Sequence, residues 1–107
     1  MIQYLQRNVM NTTAIDIKNL LDQQTRYLQN VYNVKTIGIF GSIANNQSTK
    51  KSDVDILVEL SEPISLFQFI DMEDFLSKIL KRKVDLTTKN ALKPAIKEAV
   101  LHETIYV

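Results

Sequence analysis

The sequence predicts an α/β domain in which helices pack on a small mixed sheet. Three observations lead there. Stripes of apolar residues at helical spacing alternate with short β-branched runs, no repeat or low-complexity tract interrupts them, and the link between the first two strand-like runs is short enough for antiparallel pairing. At 107 residues and 45% hydrophobic composition the chain builds one core. Residues 1–107 are therefore read as a single domain, with residues 1–12 as an extension ahead of the folded unit, because Met10 directly precedes the cap-like run Asn11-Thr12-Thr13.

Thr13-Ala14-Ile15-Asp16 has the form of a capping box, and Ile17, Leu20, Leu21, Leu28 and Val31 then fall at helical spacing, predicting one amphipathic helix to about Asn30. Val34 to Phe40 is short, β-branched and carries Gly38, which predicts a largely buried strand ending at Gly41. Ser42 to Asn46 suits one or two helical turns, and the polar run Asn45 to Ser52 an exposed connection. A second strand follows: Val54, Ile56, Val58 and Leu60 alternate with Asp53, Asp55, Leu57 and Glu59, so one face is apolar and the other begins with two carboxylates. After the break Ser61-Glu62-Pro63, the residues Leu66, Phe69, Ile70, Phe75, Leu76, Ile79 and Leu80 trace the strongest helical stripe, with Phe67, Phe69 and Phe75 as core candidates. Lys81-Arg82-Lys83 reads as its C-terminus, where cations suit the helix dipole. Val84 to Thr88 is a third strand, Leu92 to Leu101 a last helix with Pro94 in its first turn, and Thr104 to Val107 an extended tail.

Composition excludes several classes. Thirteen Lys and Arg stand against twelve Asp and Glu, a formal charge of +1, without the basic excess that would mark nucleic-acid backbone binding. The absence of cysteine excludes disulfides and thiolate metal sites. No apolar run reaches the roughly 18 residues of a membrane span, so the expectation is a cytoplasmic protein with no membrane attachment.

The chemistry concentrates in Gly41-Ser42 at the end of one strand and, after ten residues, Asp53-Val54-Asp55 at the start of the next. Glycine lets backbone approach a phosphate closely, and a serine opening a helical turn offers its hydroxyl and neighbouring N–H groups to phosphate oxygens. Two aspartates at i and i+2 project to one side, where their repulsion is costly unless a cation sits beside them, and hard oxygen donors select magnesium or manganese. Asp85, alternating with Val84 and Leu86, is placed to complete a second metal site or to accept a proton from a nucleophile. Glu59 shares the aspartates' face but lies about two pleats further along, so a surface role or a salt bridge is expected of it rather than metal binding. His102 has no partner in sequence and reads as a surface or helix-end residue.

Gly41-Ser42-Ile43-Ala44, Lys51 to Glu59 around Asp53-Val54-Asp55, Val84-Asp85-Leu86 and the final Ala91 to Val107 segment resemble the DNA polymerase β-like nucleotidyltransferase superfamily, most closely its minimal nucleotidyltransferase branch. The resemblance runs from about Val34 to the C-terminus. It implies that Asp53, Asp55 and Asp85 form an acidic triad holding Mg2+, with two ions expected, that Gly41 and Ser42 contact nucleotide phosphate, and that ATP is the substrate. It also implies an antitoxin that transfers AMP to a tyrosine of a HEPN-type ribonuclease toxin, with which it forms a hetero-oligomer. The family commonly continues Gly-Ser-x-Ala with Arg and Gly where this chain has Asn45 and Asn46. That departure supports an alternative, a binding module that masks the toxin sterically. Transfer to a small molecule such as an aminoglycoside is a third reading, against which the small size counts.

Overall fold

The computed structural model describes residues 13–45 and 53–107; the extension expected over residues 1–12, and Asn46, Lys50, Lys51 and Ser52 of the polar connection, lie outside them. Thr13 caps the first helix as expected. Its hydroxyl accepts from the Asp16 N–H at 3.2 Å while the Asp16 carboxylate accepts from the Thr13 N–H at 3.2 Å. The single helix expected to Asn30 is instead two, α1 (Ala14–Asp22) and α2 (Thr25–Tyr32). The Gln24 N–H turns back to the Leu21 carbonyl at 2.9 Å and the Thr25 hydroxyl donates to the Asp22 carbonyl at 3.0 Å, so local bonds replace the helical ladder. The break re-aims the second stripe. Leu28 and Tyr32 face the core, and Val31 of the expected stripe stays exposed. Asn33 ends α2 in the left-handed region, φ 58°, which Asn tolerates better than most residues.

Strands β1 (Val34–Phe40), β2 (Val54–Leu60), β3 (Val84–Thr88) and β4 (Ile105–Tyr106) form one mixed sheet in the order β3-β2-β1-β4. β1 pairs antiparallel with β2 and with β4, whereas β2 and β3 are parallel and need the crossover helix α4 (Leu66–Leu80) between them. Ser65 and Gln68 form a reciprocal capping box at the start of α4, and Lys81 closes it in the left-handed region. Met72, Leu76 and Leu80 are its buried line, with Phe69, Phe75 and Ile79 packed at the margin. Leu66, Ile70 and Phe67 depart from the expected stripe. The first turn of α4 stands clear of the sheet, and Phe67 is 84% exposed.

Period-2 alternation divides the sheet into two faces. Ile37, Ile39, Val54, Ile56, Val58, Val84 and Leu86 point to one side and make the main core with α1, α2 and α4. Leu57 points to the other, where Leu92, Val100 and the flanking Phe40 and Leu101 make a smaller core under α5 (Pro94–Glu103). This last helix begins two residues later than the expected Leu92. Lys89–Ala91 form a 3-10 turn, and Leu92 and Lys93 are extended, as the residue before a proline is forced to be, so Pro94 opens the helix. Among the described residues no helix is long and apolar enough to cross a membrane.

Gly38 admits the C-terminal strand. A side chain there would run into the Thr104 methyl and lie 3.0 Å from the Ile105 carbonyl oxygen, because β4 pairs closely alongside β1 at this point. Gly38→Ala is expected to destabilise the fold by about 1–3 kcal/mol, the usual cost of overpacking, as read from the urea midpoint; an unchanged midpoint would show that β4 yields freely.

Candidate active site

The second face of the sheet carries the polar constellation. Asp55 on β2 stands opposite Phe40 on β1 and, in the parallel ladder, directly opposite Asp85 on β3. Residues so paired project from the same face, and Asp53, two positions earlier, joins them. The neighbouring Asp53 and Asp55 and the distant Asp85 are thus brought to one corner.

β3 is the outer strand, and its position is set from α4. The Ser77 hydroxyl accepts from the Val84 N–H at 3.1 Å and the Glu73 carboxylate accepts from the Leu86 N–H at 2.8 Å, so the outward amides on both sides of Asp85 are engaged. These bonds cover an edge that would otherwise offer itself for pairing, and they fix the register that puts Asp85 beside Asp55. On the inner side, the Tyr32 hydroxyl donates to Asp71 at 2.6 Å and ties α2 to α4; burial first, and then that carboxylate, push the Tyr32 hydroxyl well above the usual phenol range.

Gly41 follows Phe40 with φ +74°, in the left-handed region that glycine enters without penalty. The need is steric as well as conformational: a side chain on Gly41 would collide with the Asp55 carboxylate. Gly41–Ala44 then form the single turn α3, anchored by buried Ile43, with Ser42 half-buried. The start of the glycine-serine turn therefore lies against Asp55.

Asp85 is exposed and Asp53 and Asp55 are half-buried. Burial, then the charges of Asp85, Asp53 and Glu103, raise the Asp55 carboxyl above the ordinary carboxylate range. Asp53 leans outward, its carboxylate 3.9 Å from the Lys83 ammonium in a mostly solvated pair. Lys83, expected only as part of a helix terminus, thus borders the site. Among the described residues no three acidic or imidazole groups are gathered closely enough to hold an ion as they stand. Their chemistry nevertheless fits magnesium: hard oxygen donors converge from neighbouring strands roughly 4.8 Å apart, and their mutual repulsion is what a cation relieves.

Sequence reasoning missed Glu103. It lies 62 residues from Gly41, yet its carboxylate accepts from the Gly41 N–H at 3.3 Å and from the Asn45 side-chain amide at 3.3 Å. No spacing rule signals such a contact, because it arises when α5 folds back over the sheet. Glu59, by contrast, accepts from the Thr36 hydroxyl at 3.4 Å across the ladder, and His102 is exposed near the end of α5.

A family model described as "Nucleotidyltransferase domain" matches residues 21–107. The chain belongs to that family. Among its relatives, this nucleotidyltransferase is 44% identical over 96 residues to MJ0126 of Methanocaldococcus jannaschii, whose name proposes a protein adenylyltransferase; the match covers 89% of this chain and 98% of that protein. The protein adenylyltransferase MntA of Thermococcus cleftensis is 39% identical over 95 residues, covering 89% and 96%. Solved structures share the fold. A chain of a toxin–antitoxin structure with AMP-PNP gives a TM-score of 0.69 at 20% identity, over 83% of this chain and 70% of that one. A chain of a complex of an MNT antitoxin with a tri-AMPylated HEPN toxin from Shewanella oneidensis gives 0.64 at 18%, over 88% and 71%.

Asp55 carries a stability signature. Its proton affinity is raised by folding, so the cost of ionising it is absent below the ordinary carboxylate range, grows as pH rises through the unfolded value and is complete above the raised folded one. In the presence of a chelator, Asp55→Asn is expected to raise the thermal midpoint at neutral pH and to leave it nearly unchanged in acid. A lower midpoint at neutral pH would contradict this.

Proposed function

We propose that this nucleotidyltransferase is a magnesium-dependent protein adenylyltransferase that moves AMP from ATP to a tyrosine of a HEPN-type toxin and so neutralises it, acting as a cytoplasmic antitoxin in a hetero-oligomer. The observation that carries the reading is the placement of Asp55 opposite Asp85 across a parallel ladder, with Asp53 beside them and the Gly41-Ser42 turn against Asp55. Relatives named for protein adenylylation, of nearly the same length, support the choice of reaction, and the toxin–antitoxin neighbours support the choice of partner.

In this reading the Ser42 hydroxyl and the amides of its turn hold the triphosphate tail, while Asp53, Asp55 and Asp85 are the residues that hold magnesium. When bound, the cation supplies neutralisation of charge on the triphosphate and on the departing pyrophosphate. Asp85, exposed and reachable from solvent, accepts the proton of the incoming tyrosyl hydroxyl. The tyrosyl oxygen bonds to the α-phosphorus, the bond from that phosphorus to the bridging oxygen breaks, and pyrophosphate leaves.

A second reading, a module that masks its partner sterically, draws on Asn45 and Asn46 and on the exposed Leu66, Phe67 and Ile70. One experiment separates the two. The HEPN-type protein encoded by the neighbouring gene is incubated with this chain, ATP and magnesium and its intact mass is measured, in parallel with Asp53→Asn. An AMP-sized increase is expected, with its rate reduced roughly a hundredfold or more in the variant, the scale of losing one electrostatic transition-state contact. No increase, with neutralisation kept by both forms, would establish masking.

A further inference from the structure

The Glu103 carboxylate is placed where simple stability would not put it. It sits in the last turn of α5, the negative end of the helix dipole, and adds to the charges already crowded around Asp55. It is nonetheless held on both sides. Val100 packs α5 onto the sheet, the Thr104 hydroxyl donates to the Val100 carbonyl at 2.6 Å to close the helix, and β4 then hydrogen-bonds to β1. Glu103 therefore projects from a fixed base.

What it grips is the shortest element of the site, held otherwise by buried Ile43. An isolated turn of four residues has no cooperative stability, and α3 is such a turn. One Glu103 oxygen takes the Gly41 N–H at its start and the other takes the Asn45 side chain just past its end, both at 3.3 Å. Gly41 in turn lies against the Asp55 carboxylate, so the setting of this turn determines the gap between Ser42 and the aspartates.

We propose that Glu103 is a positioning residue for nucleotide binding: by clamping Gly41 and Asn45 it fixes the Gly41-Ser42 turn at the distance from Asp55 at which Ser42 meets the nucleotide's phosphates. The inference rests on reading this corner as the nucleotide site and goes beyond it in two ways. It makes the C-terminal helix part of that site, and it assigns the Gly41 N–H to Glu103, leaving the phosphate contacts to Ser42 and the other amides of the turn. It also gives Asn45 a task. Its side chain faces the clamp.

The test compares the unmodified chain with Glu103→Gln, which keeps an acceptor of the same reach, and Glu103→Ala, which keeps none. Affinity for ATP with magnesium is measured by calorimetry, and the Gly41 amide is followed by NMR without nucleotide. Glu103→Gln should bind ATP nearly as well as the unmodified chain. Glu103→Ala should shift the Gly41 amide and bind about tenfold more weakly, the scale of losing one hydrogen bond to a charged group. A purely structural role would lower the thermal midpoint and leave affinity unchanged. Equal affinity in Glu103→Ala overturns the proposal, and so does tighter binding, which would make Glu103 a competitor of phosphate. Failure of the unmodified chain to bind ATP would remove the adenylyltransferase reading itself. Should Glu103→Ala not fold, Glu103→Asp serves instead: its charge is intact and its reach is shorter, so weaker ATP binding supports the clamp and unchanged binding overturns it.

Discussion

Two carboxylates facing each other across adjacent parallel strands repel, and most of this fold is what keeps them there. Asp55 is carried by β2, whose apolar side is sealed against α1, α2 and α4, so it cannot retreat without unpacking the core. Asp85 is carried by an edge strand, which alone would be free to slip. Ser77 and Glu73 of the crossover helix prevent that by taking the outward amides of Val84 and Leu86. A one-residue slip would turn Asp85 into the main core and Val84 and Leu86 out of it, so the apolar pattern of β3 and the chemistry of Asp85 demand the same register.

The cost of this arrangement is visible in Asp55, whose ionisation is opposed by burial and by three neighbouring carboxylates. A site of this kind stores electrostatic repulsion that a cation and a polyphosphate together can convert into binding. The domain supplies little else. The aspartates, a glycine-serine turn and the end of the last helix meet at one corner of a four-stranded sheet, and the same face nearby is filled by Leu57, Leu92 and Val100 as a minor core.

Much of this could be read from the chain, for definable reasons. Strand alternation has a strict period of two, so Asp53 and Asp55 could be placed on the face opposite Val54, Ile56 and Val58, and Asp85 opposite Val84 and Leu86, before any fold was known. The bounds of β1 and β3 followed from β-branched runs ended by turn residues. What could not be read depends on bonds between residues whose preference is weak or whose partners are distant. The break at Gln23-Gln24 rests on a hydroxyl and a backbone turn that compete narrowly with a helix, and it exchanged Tyr32 for Val31 in the core. The late start of α5 follows from the extended backbone ahead of Pro94: a proline suits the first turn of a helix, but the residue before it is steered out of the helical region, so the helix opens at Pro94 and not at Leu92. The exposure of Phe67 and the grip of Glu103 on Gly41 belong to tertiary packing alone.

In the function proposed, a divalent cation and a nucleoside triphosphate bind at the corner formed by Asp53, Asp55, Asp85 and the Gly41-Ser42 turn. The most direct test is NMR of the isotopically labelled chain titrated with manganese and ATP, because the paramagnetic ion broadens nearby amide signals selectively. The account predicts that signals of Val54 to Ile56, Asp85 and Gly41 to Ile43 disappear first, while Glu59 and Leu60 at the far end of β2 stay sharp. Broadening centred on the far end of the sheet, or spread evenly over the acidic residues of the surface, would contradict it.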